Sequence, residues 1–248
     1  MDLDTDTATV PDYRLYGSPD SANLVVRMVL ESEGLPYREV RVDRAAGGLD
    51  APAFRRLNPQ GLLPVLVDER HGTALFETGA ILLHLAERCH GARFAAPAGR
   101  GRLLAWLFFL SNTVHAELRL CFYTPRYAPR AEDAQRLRDA LRPRMVAHLM
   151  QLEALCEQGR EPWLLEEGPS VLDPYLACLV RWMQLYPVDA PCRALPWERL
   201  PSLVGMLEAL AERPGIRRAA CAEGIKGRLF IAPDYPDLDL SGVTGHGG

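Results

Sequence analysis

The stretch LYGSPDSANLVVRM, residues 15–28, brings two hydroxyls, Ser18 and Ser21, and the carboxamide of Asn23 to one junction. Four strand-like residues, 13–16, run into the turn cluster Gly17-Ser18-Pro19-Asp20, and an apolar run with helical spacing starts behind Ser21 and Asn23. A strand that breaks sharply into a helix leaves backbone N–H groups without internal partners at an exposed point, and a hydroxyl beside them is a further donor. Such a point suits a negative charge, yet no cysteine stands on it to carry one.

Two more constellations can take part in binding. In Asn58-Pro-Gln-Gly-Leu-Leu-Pro64-Val-Leu a proline opens a strand, where it cannot donate to the ladder. It marks either an edge or a cis bond that turns the preceding backbone outward, and in the second case Leu63 offers its N–H and C=O to a bound peptide as an added strand would receive them. In Leu75-Phe76-Glu77-Thr78-Gly79, Thr78 stands where a helix begins and is the expected N-cap. The functional alternative is that Thr78 and the helix N-terminus bind a carboxylate while Glu77 pairs with an ammonium, which together hold the zwitterionic end of an amino acid.

The elements that must position these residues follow from periodicity and breakers. Residues 13–16 predict a strand, 22–33 a helix stopped by Gly34, 37–42 a strand and 51–57 a short helix. Residues 64–68 and 73–77 predict two short strands joined at hairpin spacing by Glu69-Arg-His-Gly72, and 78–88 a closing helix. The order βαβαββα requires a mixed sheet of four strands, because the first half needs a parallel crossover and the second an antiparallel hairpin. A linker is expected over residues 94–101. Beyond it strand signals nearly vanish, and 101–121, 131–158, 171–185, 201–212 and 214–222 predict helices. The division expected is therefore 12–93, a mixed α/β domain, and 101–232, an all-helical domain, with loose tails at 1–11 and 233–248.

Composition sets limits on function. The 248 residues carry 48% hydrophobic and 24% charged side chains and a net charge of −4, which disfavours general nucleic-acid binding. No apolar run is long enough to span a bilayer, and the acidic opening MDLDTDTATVPD has neither the basic start nor the apolar core of a signal peptide, so a cytoplasmic location without membrane contact is expected. Cys89, Cys121, Cys156, Cys178, Cys192 and Cys221 show no C-x-x-C spacing and no His clustered at ligand spacing, so free, mostly buried thiols are expected and no metal.

The succession LYGSPDSAN, NPQGLLPVL and LFETGAILLHLAE resembles the thioredoxin-like half of the glutathione transferase family, and Ser170-Val-Leu-Asp173, Pro201-Ser-Leu-Val-Gly-Met-Leu-Glu-Ala-Leu and Arg213-Pro-Gly-Ile resemble elements of its helical half. The likeness spans about residues 12–225. It implies a thioredoxin-like domain followed by the family's helical domain, glutathione as co-substrate, a small hydrophobic electrophile as acceptor and a homodimer. It also implies that the thiol belongs to glutathione itself, so that no protein cysteine is needed. Ser21 is then the preferred thiolate donor with Asn23 assisting, Ser18 and Tyr16 are alternatives, and Ala22 stands where cysteine-type bacterial relatives carry their cysteine. A plain N-cap remains the alternative role of Ser21.

By the same resemblance Gln60, Leu62, Leu63, Pro64, Glu77 and Thr78 contact glutathione. Leu62 departs from the pattern, standing where relatives often carry Lys or Gln near the glycine end, which implies weaker binding or a different thiol. Asn112, His115 and Arg119 share one helix face at i, i+3, i+7 spacing and either line the acceptor pocket with Tyr123 and Tyr127 or form an ordinary polar face. Ser170 and Asp173 form a capping box, a folding role worth about 1 kcal/mol per cap. Isomerisation, ether cleavage and dehalogenation use the same thiolate and are not separated from transfer by these residues, and a non-catalytic binding module on this fold is the remaining alternative.

Overall fold

Strand β1 (Tyr13–Gly17) lies at the heart of a four-stranded sheet of order β2-β1-β3-β4, with β2 Tyr37–Arg41, β3 Val65–Asp68 and β4 Thr73–Phe76. The computed structural model describes residues 11–90, 97–128, 130–158, 170–188 and 195–237. β1 pairs parallel to β2 and antiparallel to β3, and β3 pairs antiparallel to β4, as the crossover and hairpin spacings require. The crossover is helix α1 (Asn23–Glu33), α2 (Pro52–Leu57) leads into β3, and α3 (Thr78–His90) follows β4.

Every residue of α1 from Asn23 to Leu30 is buried. A helix covered all round needs partners on all sides. α1 packs against β1 and α3 of its own domain and against two helices of the second domain, α8 (Leu172–Leu185) and α10 (Pro214–Ala222). One apolar cluster therefore runs through both domains, from Leu15, Leu24 and Leu82 to Leu176, Leu203 and Ile216. Gly215 lets α10 approach closely: a Cβ there would stand 2.6 Å from Cα of Ser32. On the other sheet face a smaller cluster of Val42, Phe54, Val65 and Val67 seats α2.

The second domain departs from the expected pattern in two places. The linker expected over 94–101 is helical from Pro97, where α4 (Pro97–Phe108) begins; residues 91–96 lie outside the described ones. The single helix expected over 101–121 is α4, then a π-helix, Phe109–His115, then α5 (Ala116–Phe122). The remaining elements are α6 (Thr124–Tyr127), α7 (Ala131–Gln158), a 3-10 turn Trp197–Arg199 and α9 (Pro201–Ala211).

The tail expected from 233 is pinned over 233–237. Arg181 donates to the Asp234 carbonyl at 2.8 Å, the Tyr235 hydroxyl donates to the Leu185 carbonyl at 2.6 Å, and Pro233 and Pro236 are buried. Residues 1–10 and 238–248, the rest of the expected tails, lie outside the described residues.

The Ser170–Asp173 pair closes reciprocally ahead of α8, with the N-cap position itself on Val171: Asp173 Oδ2 accepts from the Ser170 N–H at 2.6 Å, and Ser170 Oγ accepts from the Leu172 N–H at 3.1 Å. Among the described residues no helix is long and apolar enough to cross a membrane. Among the described cysteines Cys178 is buried, Cys89, Cys121 and Cys156 are half-buried and Cys221 is exposed, so the expectation of mostly buried thiols is corrected; Cys192 lies outside the described residues.

Candidate active site

The β1–α1 junction is held from below by Asn23. Its side chain is fully buried, and Oδ1 accepts from the Ser18 N–H at 3.0 Å and from the Ser21 hydroxyl. Gly17 makes room for it, since a Cβ on that residue would overlap the Asn23 side chain. Ser21 is half-buried, and its hydroxyl does not cap α1: the N-cap position falls on Ala22, with no side-chain hydrogen bond. Ser18 Oγ is buried with no hydrogen-bond partner. The ring of Tyr16 lies on the opposite sheet face, 6.1 Å from Phe54, and so is not brought to Ser21.

Asn23 donates through Nδ2 to Oε1 of Glu223 at 2.8 Å, so its NH2 faces Glu223 and its oxygen faces the Ser18 N–H and the Ser21 hydroxyl. In this arrangement Asn23 accepts from the Ser21 hydroxyl and so fixes its direction.

The Glu77-Thr78 and proline-loop motifs meet. Nε2 of Gln60 donates to Oε1 of Glu77 at 2.9 Å, and the loop before β3 is shaped by buried Asn58, which accepts from the Gln60 N–H at 3.0 Å and donates to the Leu62 carbonyl at 2.8 Å. The Leu63–Pro64 bond is cis, as one of the two sequence alternatives had it. Pro64 is buried, while Leu62 and Leu63 are half-buried. Glu77 has φ +67°, a left-handed conformation that non-glycine residues adopt at a cost and that collects at functional sites. Its carbonyl accepts the Ile81 N–H at 3.0 Å, which makes Glu77 the capping residue of α3 and Thr78, buried, the first residue inside the helix. Thr78 as N-cap is thus corrected by one residue.

The proposed acceptor face is divided by the π-helix. With i→i+5 bonds the chain rotates less per residue than in an α-helix, so Asn112 and His115 do not stay on one line. Asn112 is exposed and accepts from the Ser111 hydroxyl at 2.9 Å, whereas His115 turns to α8, with Nδ1 2.9 Å from the Tyr175 hydroxyl and its ring 5.8 Å from that of Trp182. Burial, with the nearby Arg119 charge acting in the same direction, pushes the His115 imidazole down to about 4. Burial raises the Tyr175 phenol, with Glu77 adding to the rise and Arg119 opposing it. His115, Arg119, Tyr175 and Glu77 therefore share one electrostatic neighbourhood between the domains. Tyr123 carries Arg126 4.5 Å over its ring, and Tyr127 is exposed.

Sequence reasoning missed the charged residues beneath the junction. Asp20, with φ +51°, is buried and accepts from Arg181 Nε and Nη2 at 2.9 Å each, from Trp182 Nε1 at 3.0 Å and from the Tyr186 hydroxyl at 2.9 Å. Glu223 accepts from Arg27 Nε at 2.7 Å and from the Asp20 N–H at 3.0 Å. The usable signal was a lone arginine inside each of two apolar helical runs, LVVRMVL and ACLVRWMQL, since a guanidinium in such a run is buried only with an anionic partner.

Known proteins resemble this chain in sequence and fold. Residues 11–87 match the family model described as the glutathione S-transferase N-terminal domain. Glutathione S-transferase GstA of Escherichia coli O157:H7 is 26% identical over 218 residues, 86% of this chain and 100% of its own length. Disulfide-bond oxidoreductase YfcG of Escherichia coli strain K12 is 29% identical over 169 residues, 66% of this chain and 76% of its own. A glutathione transferase of Burkholderia graminis, solved with two glutathione molecules bound per subunit, superposes with a TM-score of 0.72 at 26% identity, covering 86% of this chain and 89% of that one. By its mixed four-stranded sheet, its helical second domain and these relatives, the chain is a glutathione S-transferase-like enzyme, and its residues 11–87 carry that family's N-terminal domain.

Proposed function

We propose that the enzyme binds glutathione with its γ-glutamyl end at Glu77, Thr78 and Gln60 and its cysteinyl backbone at Leu63, ionises the thiol beside Ser21, and directs the thiolate at an electrophilic carbon of a small hydrophobic molecule. The observation that carries this is the half-exposed Ser21 hydroxyl held on buried Asn23 at a junction without cysteine. A free thiol with a pKa of about 8.5 is roughly 3% ionised at pH 7. In the bound complex the thiol proton leaves to solvent and the Ser21 hydroxyl swings from Asn23 Oδ1 to the sulfur. Asn23 Oδ1 keeps the Ser18 N–H during that swing, so no buried acceptor is stranded. The exchange replaces a neutral hydrogen bond by a charge-assisted one, worth about 1.5–3 kcal/mol, and the helix N-terminus adds up to about 1. Together they lower the thiol pKa by about one to two units. The thiolate then forms the new S–C bond while the acceptor's leaving group departs with its electron pair.

The test is thiolate absorbance against pH in the glutathione complex. Ser21→Ala is expected to raise the bound thiol pKa by about one unit or more and to lower turnover near neutrality about ten- to a hundredfold, with glutathione affinity nearly intact. An unchanged pKa refutes the role of Ser21.

A second reading, reduction of small disulfides, is favoured by the relative named a disulfide-bond oxidoreductase. With no cysteine at the junction both exchanging sulfurs would come from glutathione, one thiolate attacking the disulfide and a second thiolate displacing the product. Competition between an electrophilic aryl halide and a hydroxyalkyl disulfide as substrates separates the two readings.

A further inference from the structure

We infer that Glu223, at the end of α10 in the helical domain, is a positioning residue for the thiolate site: it fixes which way round the Asn23 carboxamide stands and thereby aims the Ser21 hydroxyl. The inference rests on the thiolate role proposed for Ser21. A carboxamide has two orientations of nearly equal shape, and its partners decide between them. At Asn23 every partner agrees. Glu223 Oε1, an acceptor, faces Nδ2 at 2.8 Å, while the Ser18 N–H, a donor, faces Oδ1 at 3.0 Å. Turned over, the amide would set oxygen against carboxylate and NH2 against N–H.

The orientation has a chemical consequence. With Oδ1 toward the junction, Asn23 accepts the Ser21 proton and keeps the hydroxyl pointed at a known place, one rotation away from the sulfur. With NH2 toward the junction it would compete with Ser21 as donor and leave the hydroxyl unanchored. Glu223 also accepts the Asp20 N–H at 3.0 Å, so one carboxylate fixes both the backbone of the turn and the amide beneath it. Its own charge is balanced by Arg27, whose Nε lies 2.7 Å from Oε1. Glu223 is 2% exposed, so these bonds do not compete with solvent. A residue 200 positions along the chain from Asn23 thus controls the geometry of the glutathione thiol site.

Glu223→Gln keeps the volume but offers only one oxygen to three donors. It is expected to raise the pKa of enzyme-bound glutathione thiol by about one unit and to lower kcat/KM near pH 7 about tenfold, with the dissociation constant for glutathione within about threefold of the parent enzyme. Because Glu223 acts through Ser21, adding Glu223→Gln to Ser21→Ala should move the pKa no further than Ser21→Ala alone. Asn23→Ala, which leaves the Glu223–Arg27 pair in place, should behave the same way and serves where Glu223→Gln does not fold. If Ser21→Ala itself leaves the pKa unchanged, the thiolate reading falls. If Ser21→Ala shifts it but Glu223→Gln, or Asn23→Ala in its place, does not, or if the shifts add in the double variant, the positioning role is overturned while the thiolate reading stands.

Discussion

Asp20 and Arg181 meet in a two-point ion pair, Nε to Oδ1 and Nη2 to Oδ2 both at 2.9 Å, with neither side chain exposed. The pair joins the β1–α1 turn of the first domain to α8 of the second. Asp20 also takes bonds from Trp182 and Tyr186, while Arg181 reaches the carbonyls of Leu229 and Asp234. Its geometry satisfies both charges, which is the condition under which a buried pair is tolerated at all.

Breaking it from one side should therefore be costly. Asp20→Asn keeps the shape and tolerates the left-handed φ, but leaves the Arg181 guanidinium buried without its carboxylate. The expected loss is about 3 kcal/mol or more in urea unfolding. A loss below about 1 kcal/mol would mean that the Leu229 and Asp234 carbonyls suffice for Arg181.

Thr78 gives a cleaner separation of binding from folding than its sequence position suggested. Because Glu77 holds the N-cap position, removing the Thr78 hydroxyl does not remove a cap. Thr78→Ala should leave the unfolding midpoint nearly unchanged while weakening glutathione binding about ten- to a hundredfold, the equivalent of one charge-assisted hydrogen bond of about 1.5–3 kcal/mol. Calorimetric titration with glutathione measures it, and unchanged affinity would remove Thr78 from the site.

The first domain was legible in the sequence because its signals are local: strand alternation, turn residues and helix stops place β1 through α3 to within a residue or two at their ends. The capping box was legible for the same reason. The π-helix was not, since a short apolar run reads alike in either helix and only the direction of His115 betrays the change of period. Glu223 and Asp20 were illegible for a different reason. Their arginine partners lie 196 and 161 positions away, and a single sequence carries no record of which buried arginine meets which carboxylate. The pinned residues 233–237 resemble a loose tail in composition, and what holds them is again Arg181, a residue of another element.

The last expectation concerns pH and sets two buried groups against each other. Burial lowers His115 from 6.5 to about 4. Between those values the unfolded chain binds a proton that the fold refuses, so this group makes stability rise with pH across the window and fall as pH drops through it. Burial raises Asp173 from 3.8 to about 7, only partly opposed by the Ser170 donors, and Asp173 Oδ1 has no hydrogen-bond partner to steady a charge. Here the fold holds a proton that the unfolded chain releases, so stability is fullest below about 3.8 and is lost as pH rises toward 7. Each contribution is on the order of a few kcal/mol, and over pH 4–6.5 their slopes have opposite sign. The parent protein should thus show little net slope from this pair, and single replacements should unmask them. His115→Gln, measured against the parent by urea unfolding, should gain relative stability as pH falls from 6.5 to 4. Asp173→Asn, which keeps an acceptor for the Ser170 N–H, should gain relative stability as pH rises from 4 to 7. If both differences run the same way with pH, or neither changes with it, the two groups are not held in the protonation states that their burial dictates.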